Sequence, residues 1–425
     1  MKDKSWSAKP EPPRPCSTPF QGIALVLQGG GALGAYQAGV YEALAERDIH
    51  PTWISGISIG AINGAIIAGN SPEHRVGRLR HFWESVTDDQ GWSAFLDPAW
   101  GGEAARAWLN YTAAAGILAS GVPGFFTPRI PPPWLQPAGA PGASSWYDTT
   151  TLRATLEALV DFGRINARET RFSVGAVNVR TGNFAYFDNA DTIIRAEHIM
   201  ASGALPPSMP AVEIDGEHYW DGGLVSNTPL EWVLSADSQL DLLVFQVDLW
   251  SARGDLPEDL TEVAMRMKEV QYSSRTRAAT DRFREIQKLR GAFSLLYDKL
   301  PEALKRSRAG REMAAAVDPA LYNIVQLIYR SPAYERQSKD FDFSRRSMED
   351  HWRAGYRDAC TALSHPEVLA LPSREESVRV FDFASAGEDG AQSPLARTGG
   401  SAAGSRGKSH RPRARPSSGR AKAAG

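Results

Sequence analysis

Two strand–glycine turn–helix units stand within the first 70 residues, and they narrow what the chain can fold into. Ile23–Gln28 (IALVLQ) is a near-continuous apolar run, the pattern of a buried parallel strand. Three consecutive glycines follow, Gly29-Gly30-Gly31, and then Ala32–Arg47, where Val40, Leu44 and neighbouring alanines recur at helical spacing. The second unit runs Thr52–Ile57 as strand and Ile59–Ala68 as a helix of small residues, with Gly56-Ile57-Ser58-Ile59-Gly60 at the join. Strands that pair in parallel need helical crossovers, which cover the faces of the sheet, so an α/β core is expected.

The alternation continues downstream. Arg75–Val86 and Thr151–Val160 read as amphipathic helices. Arg171–Val179 and Asn183–Phe187 read as strands around the Thr181-Gly182 turn, and Ala211–Ile214 and His218–Trp220 as a hairpin on Asp215-Gly216. Asp241–Asp248 is another buried strand. The charge-rich stretches 256–290, 310–330 and 346–364 read as mostly helical, although Leu321–Arg330 (LYNIVQLIYR) fits either a strand or a helix of the core. Pro51–Pro72 is uncharged over 22 residues, but its four glycines and Asn63 suit a buried strand–turn–helix better than a membrane span.

These elements suggest four regions. Residues 1–20, rich in Pro and charge, form a flexible leader without the apolar stretch of a signal peptide. With only Cys16 and Cys360 as cysteines, a cytoplasmic location is expected. Residues 21–250 carry the α/β domain, 251–384 a mostly helical extension, and 385–425 a disordered basic tail. From Ala391 onward the tail has eight Lys/Arg and no acid, which leaves −10 on the rest of a chain of net charge −2. That balance argues against a specific nucleic-acid partner, and no protein partner is indicated. Residues 88–146 interrupt the domain. They hold five of the twelve tryptophans and an uncharged run from Ala107 to Pro128, unlike a short polar loop. A cap over the core is expected, and a lid or peripheral patch that meets a membrane or lipid granule is the sharper reading.

Chemistry concentrates in three places. Gly56-x-Ser58-x-Gly60 between strand and helix is the context of a nucleophile elbow, with the following helix N-terminus aimed at Ser58. Gly29, Gly30 and Gly31, with Gly34 in the motif, leave backbone N–H groups free to converge on an anion. They fit either an oxyanion hole or a dinucleotide fingerprint. The second strand ends without the acid a dinucleotide ribose needs, which favours the oxyanion reading. A serine needs a base, and Asp221 in Asp221-Gly222-Gly223 is the most suggestive acid, although Asp before Gly is most often a turn residue. A Ser-His-Asp α/β-hydrolase using His351 or His365 competes with this reading, and so does a non-catalytic lipid- or polyester-granule-binding protein. No cluster has metal-ligand spacing, and no cofactor is expected.

Together the glycine triplet, G-x-S-x-G, Ala201-Ser202-Gly203-Ala204-Leu205-Pro206 and Asp221-Gly222-Gly223 resemble the patatin-like phospholipase family over about residues 21–250. The chain departs from it at Leu33, where many members have Lys or Arg. The resemblance implies a three-layer α/β/α fold and a lipid acyl hydrolase with a Ser-Asp dyad. By motif match Ser58 is its nucleophile and Asp221 its general base, with Gly29–Gly31 as oxyanion hole and no histidine required. Residues 255–375 resemble an extension found in some bacterial members.

Overall fold

In a computed structural model of the chain, describing residues 18–87, 115–235, 240–273, 276–332, 335 and 339–383, nine strands form one mixed sheet. They are β1 (Gly22–Leu27), β2 (Trp53–Gly56), β3 (Arg171–Asn178), β4 (Phe184–Asp188), β5 (Val212–Ile214), β6 (Glu217–Asp221), β7 (Leu242–Asp248), β8 (Tyr322–Ile328) and β9 (Val378–Asp382). The spatial order is β9-β8-β7-β1-β2-β3-β6-β5, with β4 on the other edge of β3. The six strands from β9 to β3 run parallel, and β4, β5 and β6 are antiparallel to their neighbours.

Alternation along β1 explains the layers. Leu25 and Leu27 pack on one face with the helices α1 (Ala35–Ala45), α2 (Ile59–Ala68) and α3 (Arg345–Leu363). Ala24 and Val26 face the other side, with Leu230, Val233 and Leu234. Every residue of α2 is buried, which its small side chains permit. Helices α1 and α3 cross almost in backbone contact: a Cβ on Gly39 would lie 1.9 Å from the Trp352 carbonyl oxygen, and one on Gly355 1.9 Å from that of Tyr36.

Two features of this topology make a site. The strand order reverses at β1, with β2 and β3 on one side and β7, β8 and β9 on the other, so the loops leaving β1 and β7 diverge and open a crevice at the carboxyl ends. In addition, β2 and β6 occupy the same edge of β3 and meet head on. Gly56 lies opposite Val174, and Asp221 lies opposite Ala176. The antiparallel hairpin therefore delivers Asp221 to the spot where the chain leaves the sheet toward Ser58.

Of the two readings open for Leu321–Arg330, strand or helix, the strand holds: Tyr322–Ile328 is β8, between β7 and β9. Its polar residues Asn323 and Gln326 are three apart, like the polar face of a helix. Both are buried instead, and Asn323 Nδ2 donates to the carbonyls of Val368 (2.8 Å) and Ala370 (2.9 Å). The edge strand β9 had no counterpart in the sequence reading. Of the Trp-rich segment, 88–114 lies outside the described residues, with Trp92, Trp100 and Trp108. In the remainder Phe125 and Phe126 turn inward, while Trp134 and Trp146 are exposed and pack on each other at 5.3 Å. The leader up to residue 17 and the basic tail also lie outside the described residues. Among the described residues no helix is long and apolar enough to cross a membrane.

Candidate active site

Ser58 stands between β2 and α2 with φ 55° and ψ −124°, a left-handed backbone that a side-chain-bearing residue adopts only under strain. Close packing enforces the turn. A Cβ on Gly60 would lie 2.3 Å from the Leu27 carbonyl oxygen, and one on Gly56 2.3 Å from that of Gly60. The Ser58 N–H donates to Ser202 Oγ at 2.9 Å, and the Ser202 hydroxyl donates to the Gly175 carbonyl at 2.7 Å. One hydroxyl thus ties the strained turn to β3.

Asp221 ends β6, is 3% exposed and accepts the Gly223 N–H at 2.7 Å on Oδ1. Ser58 lines the same cavity as this carboxylate. Burial disfavours the charged form and pushes Asp221 up from 3.8 to about 7; the Gly223 N–H and the neighbouring Ser58 hydroxyl pull the other way and only moderate the rise. His218, three residues back on the strand, is exposed.

Donor accounting singles out two amides in the glycine loop. Gly29 N–H goes to the Asn227 carbonyl (3.3 Å), Ala32 N–H to the Asp340 carbonyl (2.9 Å), and Leu33 N–H to the Gly30 carbonyl (3.2 Å). Among the described residues the Gly30 and Gly31 N–H groups have no acceptor. The Gly29 carbonyl is pinned by Asn227 Nδ2 (3.0 Å) and Trp250 Nε1 (2.9 Å). Because the peptide is planar and trans, the Gly30 N–H points the opposite way. Gly31 has φ +56°, and a Cβ there would lie 2.2 Å from the Asp340 carbonyl oxygen, so only glycine fits.

These groups share one cavity of about 90 Å³, lined by Gly29, Gly30, Gly31, Ser58, Asp221 and Gly223. The rest of its wall is largely aromatic: Phe125 and Phe126 from the Trp-rich segment, Trp250 after β7, and Tyr272, Phe341 and Phe343 from the C-terminal region. Such a wall suits a hydrocarbon chain beside a small set of polar atoms. Gly34, Gly56, Gly60 and Gly222 shape the surrounding turns without lining the cavity; a Cβ on Gly222 would meet the Gly175 carbonyl oxygen at 2.7 Å.

The histidines proposed as a third member lie elsewhere. His351 is buried with Nε2 on Glu335 (3.1 Å), and His365 is half-buried beside Glu367 (3.2 Å). Neither lines the cavity, so the Ser-His-Asp arrangement is not formed.

A model of patatin-like phospholipases matches residues 25–234, and a second model, described as patatin phospholipase, matches residues 270–375. The chain belongs to the patatin-like phospholipase family. It is similar to the lysophospholipase NTE1 of Saccharomyces cerevisiae, with 25% identity over 238 residues, which is 56% of this chain and 11% of that protein. An uncharacterised NTE family protein of Mycobacterium tuberculosis is 24% identical over 226 residues, 52% of this chain and 48% of that one. The chain thus spans half or less of these relatives' length. Among solved structures, VipD from Legionella pneumophila superposes with a TM-score of 0.37 at 16% identity, covering 82% of this chain and 67% of that one.

Several residues of this patatin-like site had no role in the sequence reading. Asn227 holds the glycine loop from both sides of the Gly29 peptide, and its spacing six residues after Asp221 was the only local signal. Gln28 accepts the Leu249 and Trp250 N–H groups on Oε1 (2.6 and 3.0 Å), joining the β1 and β7 loops. Asp340, paired with Lys268 at 3.0 Å, braces the loop through its bond from Ala32, 308 residues earlier in the chain, and nothing in the local sequence marks it.

Proposed function

We propose that the protein is a serine lipid acyl hydrolase of phospholipase A or lysophospholipase type. Ser58 is the nucleophile, Asp221 the general base, and the N–H groups of Gly30 and Gly31, in the turn opened by Gly29, form the oxyanion hole. The observation that carries this reading is the single cavity that Ser58, the buried Asp221 and the free amides of Gly30 and Gly31 all line.

The chemistry follows from those groups. An ester carbonyl enters beside Gly30 and Gly31. Ser58 Oγ forms the new C–O bond as its proton passes to Asp221, and the carbonyl oxygen becomes an oxyanion held by the two amides. Asp221 returns the proton to the departing alcohol. Water then attacks the acyl-Ser58 ester, giving its proton to Asp221, which passes it to Ser58 Oγ as the C–O bond breaks and the fatty acid leaves. An ordinary carboxylate near ~3.9 is a weak base for a hydroxyl; burial brings Asp221 to about 7 and closes part of that gap.

The substrate class rests on the aromatic cavity and on family membership, and the yeast relative's name adds a lysophospholipid as the first ester to try. Work from the aqueous side at a lipid surface, within the cytoplasm, is part of the same proposal. Ile130, Trp134, Leu135 and Trp146 are all exposed in the segment that sends Phe125 and Phe126 into the cavity, and tryptophan favours bilayer interfaces.

Labelling with a fluorophosphonate, followed by peptide mapping, tests the assignment. The adduct is expected on Ser58, absent in Ser58→Ala and strongly slowed in Asp221→Asn. An adduct elsewhere, or wild-type labelling in Asp221→Asn, refutes it.

A further inference from the structure

A second, larger cavity opens outside the carboxyl ends of β8 and β9, the same side of the sheet as the active site but two strands away from β1. Its volume is about 270 Å³. Crevices at the carboxyl ends of parallel strands are where open α/β sheets hold ligands. The linker after β8 supplies Arg330, α3 supplies Arg357 and Asp358, α1 supplies Tyr36, and Phe383 closes the side beyond β9.

The charges there are unbalanced. Asp358 Oδ2 accepts the Tyr36 hydroxyl at 2.8 Å, and the fields of Arg357 and Arg330 both act on this carboxylate. Neither guanidinium makes a hydrogen bond or an ion pair among the described residues. With Arg330, Arg357 and Asp358 as the charged residues of its lining, the wall carries net positive charge facing a space much larger than a water molecule.

We infer that this cavity binds a small organic phosphate through Arg330 and Arg357. Each guanidinium is a planar fork that can take two oxygens of one phosphate, which a lysine could not do. Bare phosphate would leave most of the volume empty. Asp358 offers an acceptor for a ligand hydroxyl, and Phe383 offers a flat apolar wall. The ligand is therefore a phosphomonoester on a hydroxylated or planar body, free in solution or carried by a lipid headgroup. Tyr36 is the second residue of α1, directly after the glycine turn, so the two cavities share an element.

The test is calorimetric titration of the full chain with inorganic phosphate and with glycerol 3-phosphate, ionic strength being held constant with sodium chloride. It is read beside phenylglyoxal modification of arginine mapped by mass spectrometry. Phosphate is expected to slow modification of Arg330 and Arg357 several-fold and to leave Arg78, exposed on the helix Pro72–Val86, unaffected. Arg330→Gln and Arg357→Gln are each expected to weaken glycerol 3-phosphate binding about tenfold or more, the scale of a lost charge-assisted hydrogen bond. Both side chains are exposed, so unfolding midpoints should not move. Protection by phosphatidic acid vesicles but not by glycerol 3-phosphate would assign the phosphate to a lipid headgroup and still support the site. Unchanged binding in both variants, equal protection by chloride, or acetate binding as tightly as phosphate would overturn it.

Discussion

Replacing Asp221 by Asn should abolish turnover and, above neutral pH, make the protein more stable. In the unfolded chain this carboxyl titrates near 3.8; in the folded chain burial raises it to about 7. Between those values the native state holds a proton that the unfolded state has released, so stability falls as pH rises through the window and stays lowered above it. Moving the acid from 3.8 to about 7, at about 1.36 kcal/mol per pH unit, sets a ceiling of about 4 kcal/mol. The amide keeps an acceptor for the Gly223 N–H and carries no charge to desolvate. The variant's advantage over the parent should therefore grow by about 2–3 kcal/mol between about pH 5 and about pH 8. Asp248, also buried and near 7, is present in both chains and cancels from the comparison. Urea unfolding at the two pH values, followed by tryptophan fluorescence, measures the difference. An advantage independent of pH, or a variant less stable at about pH 8, would show that desolvation is not what holds Asp221 near neutrality.

Gly31→Ala places a Cβ 2.2 Å from the Asp340 carbonyl oxygen and disfavours φ +56°, so the loop must move. Turnover should fall about 10²–10³-fold, the value of one misplaced oxyanion donor, with less change in KM on a chromogenic acyl ester. Ser202→Ala removes the partner of the Ser58 N–H and of the Gly175 carbonyl, both in the buried elbow. A stability loss of about 1–3 kcal/mol by denaturant titration, with slower fluorophosphonate labelling, is expected. His351→Ala leaves the buried Glu335 carboxylate with the Tyr329 hydroxyl (2.7 Å) but without its histidine. The melting temperature should drop by the equivalent of about 3 kcal/mol while kcat per folded molecule is retained; a large loss of kcat would restore a histidine to the mechanism.

How much of this was legible in the sequence depends on whether a residue's role is local. The elbow around Ser58 is a strand, a glycine-flanked turn and a helix in unbroken order, so the spacing alone reveals it. The glycine triplet is equally local, but which of its amides stay free depends on Asn227, Trp250 and Asp340, far away in sequence. Asp221 reads as a turn residue until β3 is seen to seat β2 and β6 on a single edge. In β8, a helix-like spacing of Asn323 and Gln326 hides a strand, because buried backbone carbonyls rather than water satisfy the Asn323 amide. The short edge strand β9 mixes Arg379 and Asp382 with apolar residues, and its pairing with β8 is long-range information.

The family match to residues 25–234 stops before β7, yet β7 is the strand that hydrogen-bonds the full length of β1. A polypeptide ended at that boundary would bare the middle of a parallel sheet as an open edge, a template for aggregation. It would also lack Trp250 and Asp340, two of the anchors that orient the glycine amides. Recombinant expression should accordingly keep the chain through Asp382: what looks like a tail-end appendage in the sequence supplies three strands of the sheet and a helix of its core, and limited proteolysis should find no stable fragment that ends between the two matched regions.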